Sequence, residues 1–237
     1  MHLVGGGWSP EAAADVYGPF LAEAAARAAG SGRRVPRIGV LLHGTDAEAR
    51  QAHERSPAAL ARAGAAEPVV ARAGDGDTFP SSALSDVDGL LVGGGPTPEY
   101  HRALEPLYDE IRLLVADGLP YLGFSAGSMI AAERAIIGGW RIDGIPVAPE
   151  ETAEDLDEVR IVEGLGLVDL AIDVHAAQWG TLSRLVAAVE AGLVPGGVAI
   201  DEDTALIVGQ DLRVAGAGNV WQVVEGPDGV MVGTLAA

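Results

Sequence analysis

Short apolar runs alternate along the chain with longer segments that carry apolar residues at helical spacing. Five of the runs have the length of strands: HLVGGG (2–7), RIGVLLHG (37–44), PVVARA (68–73), VDGLLVGGG (87–95) and LPYLGF (119–124). The run at 87–95 is apolar on both faces, which is typical of a central strand in a parallel sheet. Strands that alternate with helices indicate βαβ units, so the pattern predicts an α/β fold with a mostly parallel central sheet flanked by helices.

Four segments have the composition or the spacing of helices: 10–30, 47–63, 98–118 and 182–192. Three of them end on a glycine, which is a common helix stop. Pro106 either kinks the third segment or marks its true start.

The chain changes character from residue 197 onward, where short apolar runs are broken by QD, GAGN and GPDG turns. This pattern predicts antiparallel β-hairpins near the C-terminus. The acidic run PEETAEDLDE (149–158) is predicted to be a solvated loop. The sequence has no internal repeat and no long linker, so we expect a single domain over residues 1–237.

Composition narrows the possible partners and chemistry. The net charge of -19, from 15 basic and 34 acidic residues, argues against nucleic acid and anionic membranes as partners. The absence of cysteine excludes disulfides, thiolate metal sites and a thiol nucleophile. Histidine and aspartate do not recur at metal-ligand spacing, so we expect no metal and no organic cofactor. MHLVGGGWSP lacks the basic and apolar regions of a signal peptide, and no apolar run approaches a membrane span, so we expect a cytoplasmic protein.

Candidate chemistry centres on the segment Gly123-Phe124-Ser125-Ala126-Gly127, which lies between a predicted strand and more apolar sequence. A nucleophilic serine on a strained strand-to-helix turn needs neighbours without bulk, and glycines at 123 and 127 meet that need. A helix after Ser125 would direct its amino-terminal N–H groups toward the serine. The competing interpretation is a small residue where a buried strand meets a buried helix.

A serine nucleophile needs a base, and His175 is the only histidine after the turn. It lies at the end of the predicted strand 170–175, before a helix that opens near Thr181, and a helix-capping or packing role is equally compatible with that position. His2, His53 and His101 are predicted to lie on the surface or in loops. His43 also sits at a strand end.

The carboxylate that orients the base is not settled by spacing. Asp201, Glu202 and Asp203 follow one another at a strand end, and Asp173 lies two residues before His175. For the oxyanion, Gly93-Gly94-Gly95 allows bare backbone to approach a substrate, and Gly5-Gly6-Gly7 forms a similar turn with less to support it.

On six segments taken in order, the chain resembles the peptidase E and cyanophycinase family of serine peptidases: VGGGW (4–8), LLVGGGPTPEY (90–100), GFSAGSMIAAERA (123–135), GGWRIDG (138–144), DVHAAQWGTLSRL (173–185) and AIDEDTAL (199–206). The resemblance implies a class I glutamine amidotransferase-like (flavodoxin-like) fold. It implies Ser125 as nucleophile, His175 as base and Glu202 as acid. The backbone amides of Gly95 and Ala126 would then form the oxyanion hole, and Gly94 and Trp179 are predicted to contact the substrate.

The resemblance therefore implies a serine peptidase that hydrolyses short peptides through an acyl-enzyme. Two alternatives remain: an esterase or amidase acting on non-peptide acyl substrates, and a non-catalytic binding protein on the same scaffold. The arginine-rich stretch that follows the histidine in cyanophycinases is missing, and Pro96-Thr97 replaces the Asn-Thr typical of peptidase E. The substrate and a homodimeric assembly are accordingly left open.

Overall fold

The computed structural model describes residues 1–44, 49–50 and 54–235. Within these ranges the strands are, in chain order: β1 (His2–Val4), β2 (Arg37–His43), β3 (Glu67–Ala73), β4 (Gly89–Val92), β5 (Tyr121–Phe124), β6 (Arg134–Ile136), β7 (Arg141–Ile142), β8 (Ile145–Pro146), β9 (Ile161–Glu163), β10 (Ala171–Val174), β11 (Gly196–Ile200), β12 (Thr204–Val208), β13 (Leu212–Gly216), β14 (Val220–Gly226) and β15 (Gly229–Leu235). The strands β6 and β9 form one small antiparallel pair, and β7 and β8 form another.

A seven-stranded sheet with the order β13-β12-β1-β5-β4-β2-β3 forms the centre. The five strands from β1 to β3 in that order are parallel, whereas β12 pairs antiparallel with β1 and with β13. A second sheet has the order β10-β11-β14-β15, in which β10 and β11 are parallel and the remaining pairs are antiparallel. The predicted α/β fold with a mostly parallel sheet and carboxyl-terminal hairpins is confirmed.

The helices are α1 (Ala13–Gly30), α2 (Arg55–Ala63), α3 (Thr97–Leu104), α4 (Tyr108–Ala116), α5 (Ala126–Met129), α6 (Ala176–Trp179) and α7 (Leu182–Glu190). Short 3₁₀ turns lie at Ser81–Leu84, Glu105–Leu107 and Glu150–Thr152. In the described part of the chain, no helix is both long and apolar enough to cross a membrane.

The alternation of side chains along the central strands divides the core into two clusters. In β2, Ile38, Val40 and Leu42 pack with α1 and α2, whereas Leu41 packs on the other face with the cluster that contains α3, α4 and the second sheet. Every one of these four side chains is at most 1% exposed. Two buried faces explain why the central strands are nearly continuous apolar runs.

The topology brings several chain segments to one edge of the central sheet. The strands β1, β4 and β5 are parallel, so the residues that follow Val4, Val92 and Phe124 meet at the same edge. Because β12 is antiparallel to β1, its amino end at Thr204 lies at that edge too. The connection between β11 and β12, residues 201–203, therefore forms a corner between the two sheets beside the end of β5.

The boundaries differ from the sequence prediction at two helices. The predicted helix 98–118 is divided, because Pro106 lies in the 3₁₀ turn between α3 and α4 and lacks an N–H for a continuous helix. The predicted helix 47–63 is present as α2, while residues 47, 48 and 51–53 (including His53) lie outside the described residues.

The expectation that His2 lies on the surface or in a loop is wrong. His2 is 0% exposed, because β1 lies between two other strands of the central sheet and both of its faces are covered. Burial lowers the pKa of its imidazole, although the Glu23 carboxylate lies 3.1 Å from Nε2 and opposes that shift.

Candidate active site

Ser125 follows directly after β5 and precedes α5. Its backbone is in the left-handed region, with φ 51°, which is strained for a residue with a side chain. The glycines on either side are required by space. A Cβ on Gly123 would lie 2.5 Å from backbone atoms of Gly127, and a Cβ on Gly127 would lie 2.3 Å from the carbonyl oxygen of Val92. The segment GFSAG therefore makes a sharp strand-to-helix turn that presents the Ser125 hydroxyl at the sheet edge.

The imidazole of His175 faces this hydroxyl, with Nε2 2.9 Å from Ser125 Oγ. His175 follows β10 of the second sheet, and its own φ is 56°. Its N–H donates to the carbonyl of Gly5 at 3.0 Å, which joins the two sheets at this point. A Cβ on Gly6 would lie 2.1 Å from Cε1 of His175, so the first glycine turn packs directly against the ring. The ring is held from several sides.

Glu202 completes the chain of hydrogen bonds, with Oε1 2.7 Å from Nδ1 of His175. The N–H of Glu202 donates to Oε1 of Gln178 at 2.9 Å, which fixes the corner between the sheets from the side of α6. An ionised carboxylate only accepts hydrogen bonds, so Nδ1 carries the hydrogen and Nε2 is left to accept from Ser125.

The other three candidate acids are engaged elsewhere. Asp173 pairs with Arg184, Asp201 accepts from the N–H groups of Ala177 and Asn219 and from Trp221 Nε1, and Asp203 accepts from the N–H of Ser9. Among the residues that the structure describes, no group of three His, Asp or Glu side chains is arranged to hold a metal ion.

Two backbone N–H groups beside Ser125, those of Gly95 and Ala126, have no acceptor among the described residues. The glycine loop after β4 lies close to the serine, since a Cβ on Gly94 would be 3.0 Å from Ser125 Cβ. The N–H of Gly127 donates to the carbonyl of Gly93 at 3.1 Å and ties the loop to the turn. The helix α5 is a single turn of four residues, so its macrodipole is small, and donors at this position are individual N–H groups rather than a helix end.

Two cavities meet at Ser125. One, of about 400 Å³, is also lined by Gly94, His175 and Glu202, and the other, of about 620 Å³, by Trp140 and residues 150–157. Trp179 lines both cavities and stacks on the imidazole of His175, with ring centroids 3.8 Å apart and an interplanar angle of 7°. The two residues predicted to contact substrate, Gly94 and Trp179, thus both border the cleft.

The sequence model of peptidase family S51 matches residues 58–214, which is about two thirds of the chain and includes Ser125, His175 and Glu202. The chain belongs to peptidase family S51. The fold agrees with that of a Listeria monocytogenes EGD-e protein assigned as a peptidase E, with a TM-score of 0.56 over 92% of this chain and 98% of that one. Because the two sequences are 15% identical, this likeness concerns the fold alone.

Curated relatives of this S51 chain cover it only in part. The cyanophycinase of Synechococcus elongatus is 34% identical over 143 residues, which is 58% of this chain and 42% of that protein. The Peptidase E of Shewanella oneidensis is 45% identical over 56 residues, or 22% of this chain and 23% of that protein. The chain thus spans less than half the length of the curated relatives it matches.

The electrostatics of the S51 cleft favour a neutral imidazole. Burial lowers the pKa of His175, and the hydrogen bond and negative charge of Glu202 oppose this shift without reversing it. A neutral histidine hydrogen-bonded to a serine hydroxyl is the protonation state that a general base requires.

In this S51 chain Trp8, Arg55 and Glu154 also border the cleft, although the sequence did not predict them as site residues. Trp8 lines the first cavity and its ring packs on Phe124 at 4.3 Å, and an aromatic residue directly after the first glycine turn was a usable signal. Arg55 lines the same cavity at the start of α2, with no local signal. Glu154 belongs to the segment predicted to be a solvated loop, yet it lines the second cavity and accepts hydrogen bonds from Thr97.

Proposed function

We propose that the chain is a serine peptidase that hydrolyses short peptides through a Ser125-His175-Glu202 triad and an acyl-enzyme. The observation that carries the proposal is the continuous pair of hydrogen bonds, 2.9 Å from Ser125 Oγ to His175 Nε2 and 2.7 Å from His175 Nδ1 to Glu202 Oε1. This arrangement of nucleophile, base and orienting acid is recognised by geometry rather than by fold. Membership of peptidase family S51 supports peptide bonds as the target.

In the proposed reaction, His175 Nε2 accepts the hydroxyl proton while Ser125 Oγ attacks the scissile carbonyl carbon. The negative charge that develops on the carbonyl oxygen is stabilised by the N–H groups of Gly95 and Ala126, which are free to donate. Glu202 stabilises the imidazolium that forms. The imidazolium then gives its proton to the leaving amine, which departs when the C–N bond breaks.

The acyl-enzyme is hydrolysed by the same groups. A water molecule gives a proton to His175 and attacks the ester carbon, and the proton returns to Ser125 Oγ as the C–O bond breaks. Trp179 and residues 150–157 line the second cavity beside Ser125, where we expect a bound peptide to lie.

A covalent probe and a peptide library together test this proposal. We expect a fluorophosphonate to label the parent but not Ser125→Ala. The control is Ser82→Ala, which should be labelled like the parent because Ser82 is exposed and does not line the cleft. We expect the parent to cleave members of a mixed library of short peptides and Ser125→Ala to cleave none, as read by mass spectrometry. Labelling with cleavage of aryl esters but of no peptide would favour the esterase alternative, and a folded parent that is not labelled would favour a binding protein.

The rate of the proposed reaction should depend on pH through His175. The neutral imidazole is the active base, so kcat/KM should fall as the pH falls through the pKa of His175 in the free enzyme. Because burial lowers that pKa, we expect the midpoint of the acidic limb below the ordinary histidine value of 6.5. The measurement is kcat/KM against pH at constant ionic strength. A midpoint above 6.5 would show that the interaction with Glu202 outweighs burial, contrary to this expectation.

A further inference from the structure

One carboxylate of the acidic segment 149–158 is turned inward. Glu154 Oε1 accepts a hydrogen bond from Thr97 Oγ1 at 3.0 Å, and Oε2 accepts from the Thr97 N–H at 3.2 Å. Thr97 is 1% exposed and is the first residue of α3. The two bonds therefore hold the start of α3 against the acidic segment.

The backbone of Glu154 is strained in making this contact. Its φ is 55° and that of the next residue, Asp155, is 59°, a left-handed conformation that is unfavourable for a residue with a side chain. The neighbouring backbone leaves little freedom, because a Cβ on Gly138 would lie 2.7 Å from Glu154 Cβ. Such strain persists where surrounding contacts over-determine it.

The segment that carries Glu154 is anchored to the strand that carries the base. Arg184 Nη1 donates to the carbonyls of Thr152 at 2.8 Å and Gly139 at 3.1 Å, while its other nitrogens pair with Asp173 at 2.7 Å. Asp173 lies in β10, two residues before His175. A run of contacts thus connects β10, the acidic segment and Thr97.

Thr97 is two residues after Gly95, whose N–H lies beside Ser125 without an acceptor among the described residues. The near end of the glycine loop is already fixed, because the N–H of Gly93 donates to the carbonyl of Leu41 at 3.0 Å. Glu154 fixes the far end. Burial raises the pKa of Glu154, while the hydrogen bonds from Thr97 and the positive charge of Arg184 favour its ionised form.

We infer that Glu154 is a positioning residue, which holds the Gly95 amide in place for the oxyanion through its two hydrogen bonds to Thr97. The inference rests on the proposed function. Because the oxyanion forms only during the chemical step, Glu154 should affect the rate of that step and not the binding of the substrate ground state.

Substitutions at Glu154 and at Thr97 test the contact from both ends. Removing one oxyanion donor typically costs about 10²–10³-fold in kcat, and a displaced donor costs less. We therefore expect Glu154→Ala, which removes both bonds, to lower kcat by about 10–100-fold with little change in KM, and Thr97→Val, which removes only the hydroxyl bond, to lower kcat less. Thr97→Ser keeps the hydroxyl and the N–H and should retain most of the parent rate.

The matched control is Glu158→Ala. Glu158 belongs to the same segment and accepts from the N–H of Gly144 at 3.0 Å, so its loss removes the same charge and the same kind of bond away from Thr97. It should leave kcat and KM unchanged. A peptide-aldehyde inhibitor, which forms a tetrahedral adduct, should bind Glu154→Ala more weakly in proportion to the loss of kcat.

The outcomes separate this inference from the proposed function. A raised KM with unchanged kcat in Glu154→Ala would mean direct substrate contact and would overturn the inference, as would equal losses in Thr97→Ser and Thr97→Val. The amide NMR resonance of Gly95 gives a readout without turnover. It should shift in Glu154→Ala and Thr97→Val but not in Glu158→Ala, and an unmoved resonance overturns the inference. A parent that neither reacts with fluorophosphonate nor cleaves peptides counts against the proposed function instead, and the Gly95 resonance still decides the role of Glu154.

Discussion

Alanine in place of His175 is expected to lower kcat by about 10⁶-fold, and alanine at both His175 and Ser125 is expected to lower it hardly further. In the proposed mechanism the two side chains act as a unit, because the hydroxyl is a poor nucleophile at neutral pH unless Nε2, 2.9 Å away, takes its proton. Once either is gone, the other has no partner in the reaction. The measurement is kcat on the best peptide of the library for the parent, both single variants and the double variant.

His101→Ala is the control for this set. His101 is also hydrogen-bonded, with Nε2 2.8 Å from the carbonyl oxygen of Glu163, but it lies away from the cleft and should keep the parent rate. Glu202→Gln should have a kcat between those of the parent and of His175→Ala, about 10⁴-fold below the parent, since an amide no longer selects the tautomer with hydrogen on Nδ1. Losses that add up in the double variant would be inconsistent with a triad and would assign His175 and Ser125 to separate roles.

The turn at Ser125 was predictable because its requirements are local. Within the turn, a side chain at Gly123 or Gly127 would meet backbone atoms at 2.5 Å or less, so the steric demand of the turn is present in five consecutive residues. The central strands were predictable for a similar reason. A strand buried on both faces, such as β2 or β4, is a continuous apolar run whatever its neighbours are.

The acid beside His175 was not predictable from spacing. Asp201, Glu202 and Asp203 are adjacent, and which of them faces the imidazole depends on the corner between the two sheets and on the left-handed backbone of Asp203, with φ 54°. That corner is formed by β11 and β12, and β12 is placed by its pairing with β1 at the opposite end of the chain. Only the resemblance to a known family pointed to Glu202, and in the structure its Oε1 lies 2.7 Å from Nδ1.

The contact between Glu154 and Thr97 could not be predicted from the sequence for a related reason. An acidic run of ten residues has the pattern of a solvated loop, and most of its side chains are indeed exposed. The inward turn of one carboxylate depends on Thr97, 57 residues earlier in the chain, and on a left-handed backbone that no glycine marks. Such contacts are properties of the assembled fold and not of any local pattern.

Arg184→Ala is expected to lower the free energy of unfolding by about 3–5 kcal/mol. The side chains of Arg184 and Asp173 are 3% and 0% exposed, so removal of the guanidinium leaves a buried carboxylate without its counter-charge. It also leaves the carbonyls of Gly139 and Thr152 without their donor. The measurement is equilibrium unfolding in urea, with the slope of the transition checked against that of the parent.

Two comparisons make this stability prediction specific to a buried pair. Arg27→Ala breaks an ion pair with Asp117 whose side chains are 32% and 78% exposed, and it should cost at most about 1 kcal/mol because water screens the charges. The double variant Asp173→Leu/Arg184→Met should lose less than Arg184→Ala alone, since no unpaired charge is then buried and the side chains retain similar volume. A loss for Arg184→Ala no larger than that for Arg27→Ala would contradict the prediction, because it would mean that Asp173 is readily solvated or protonated when its partner is absent. The double variant could instead lose as much stability as Asp173→Leu and Arg184→Met lose together. That result would place the main contribution in the bonds to Gly139 and Thr152. These bonds, rather than the charge pair, would then hold the acidic segment against β10.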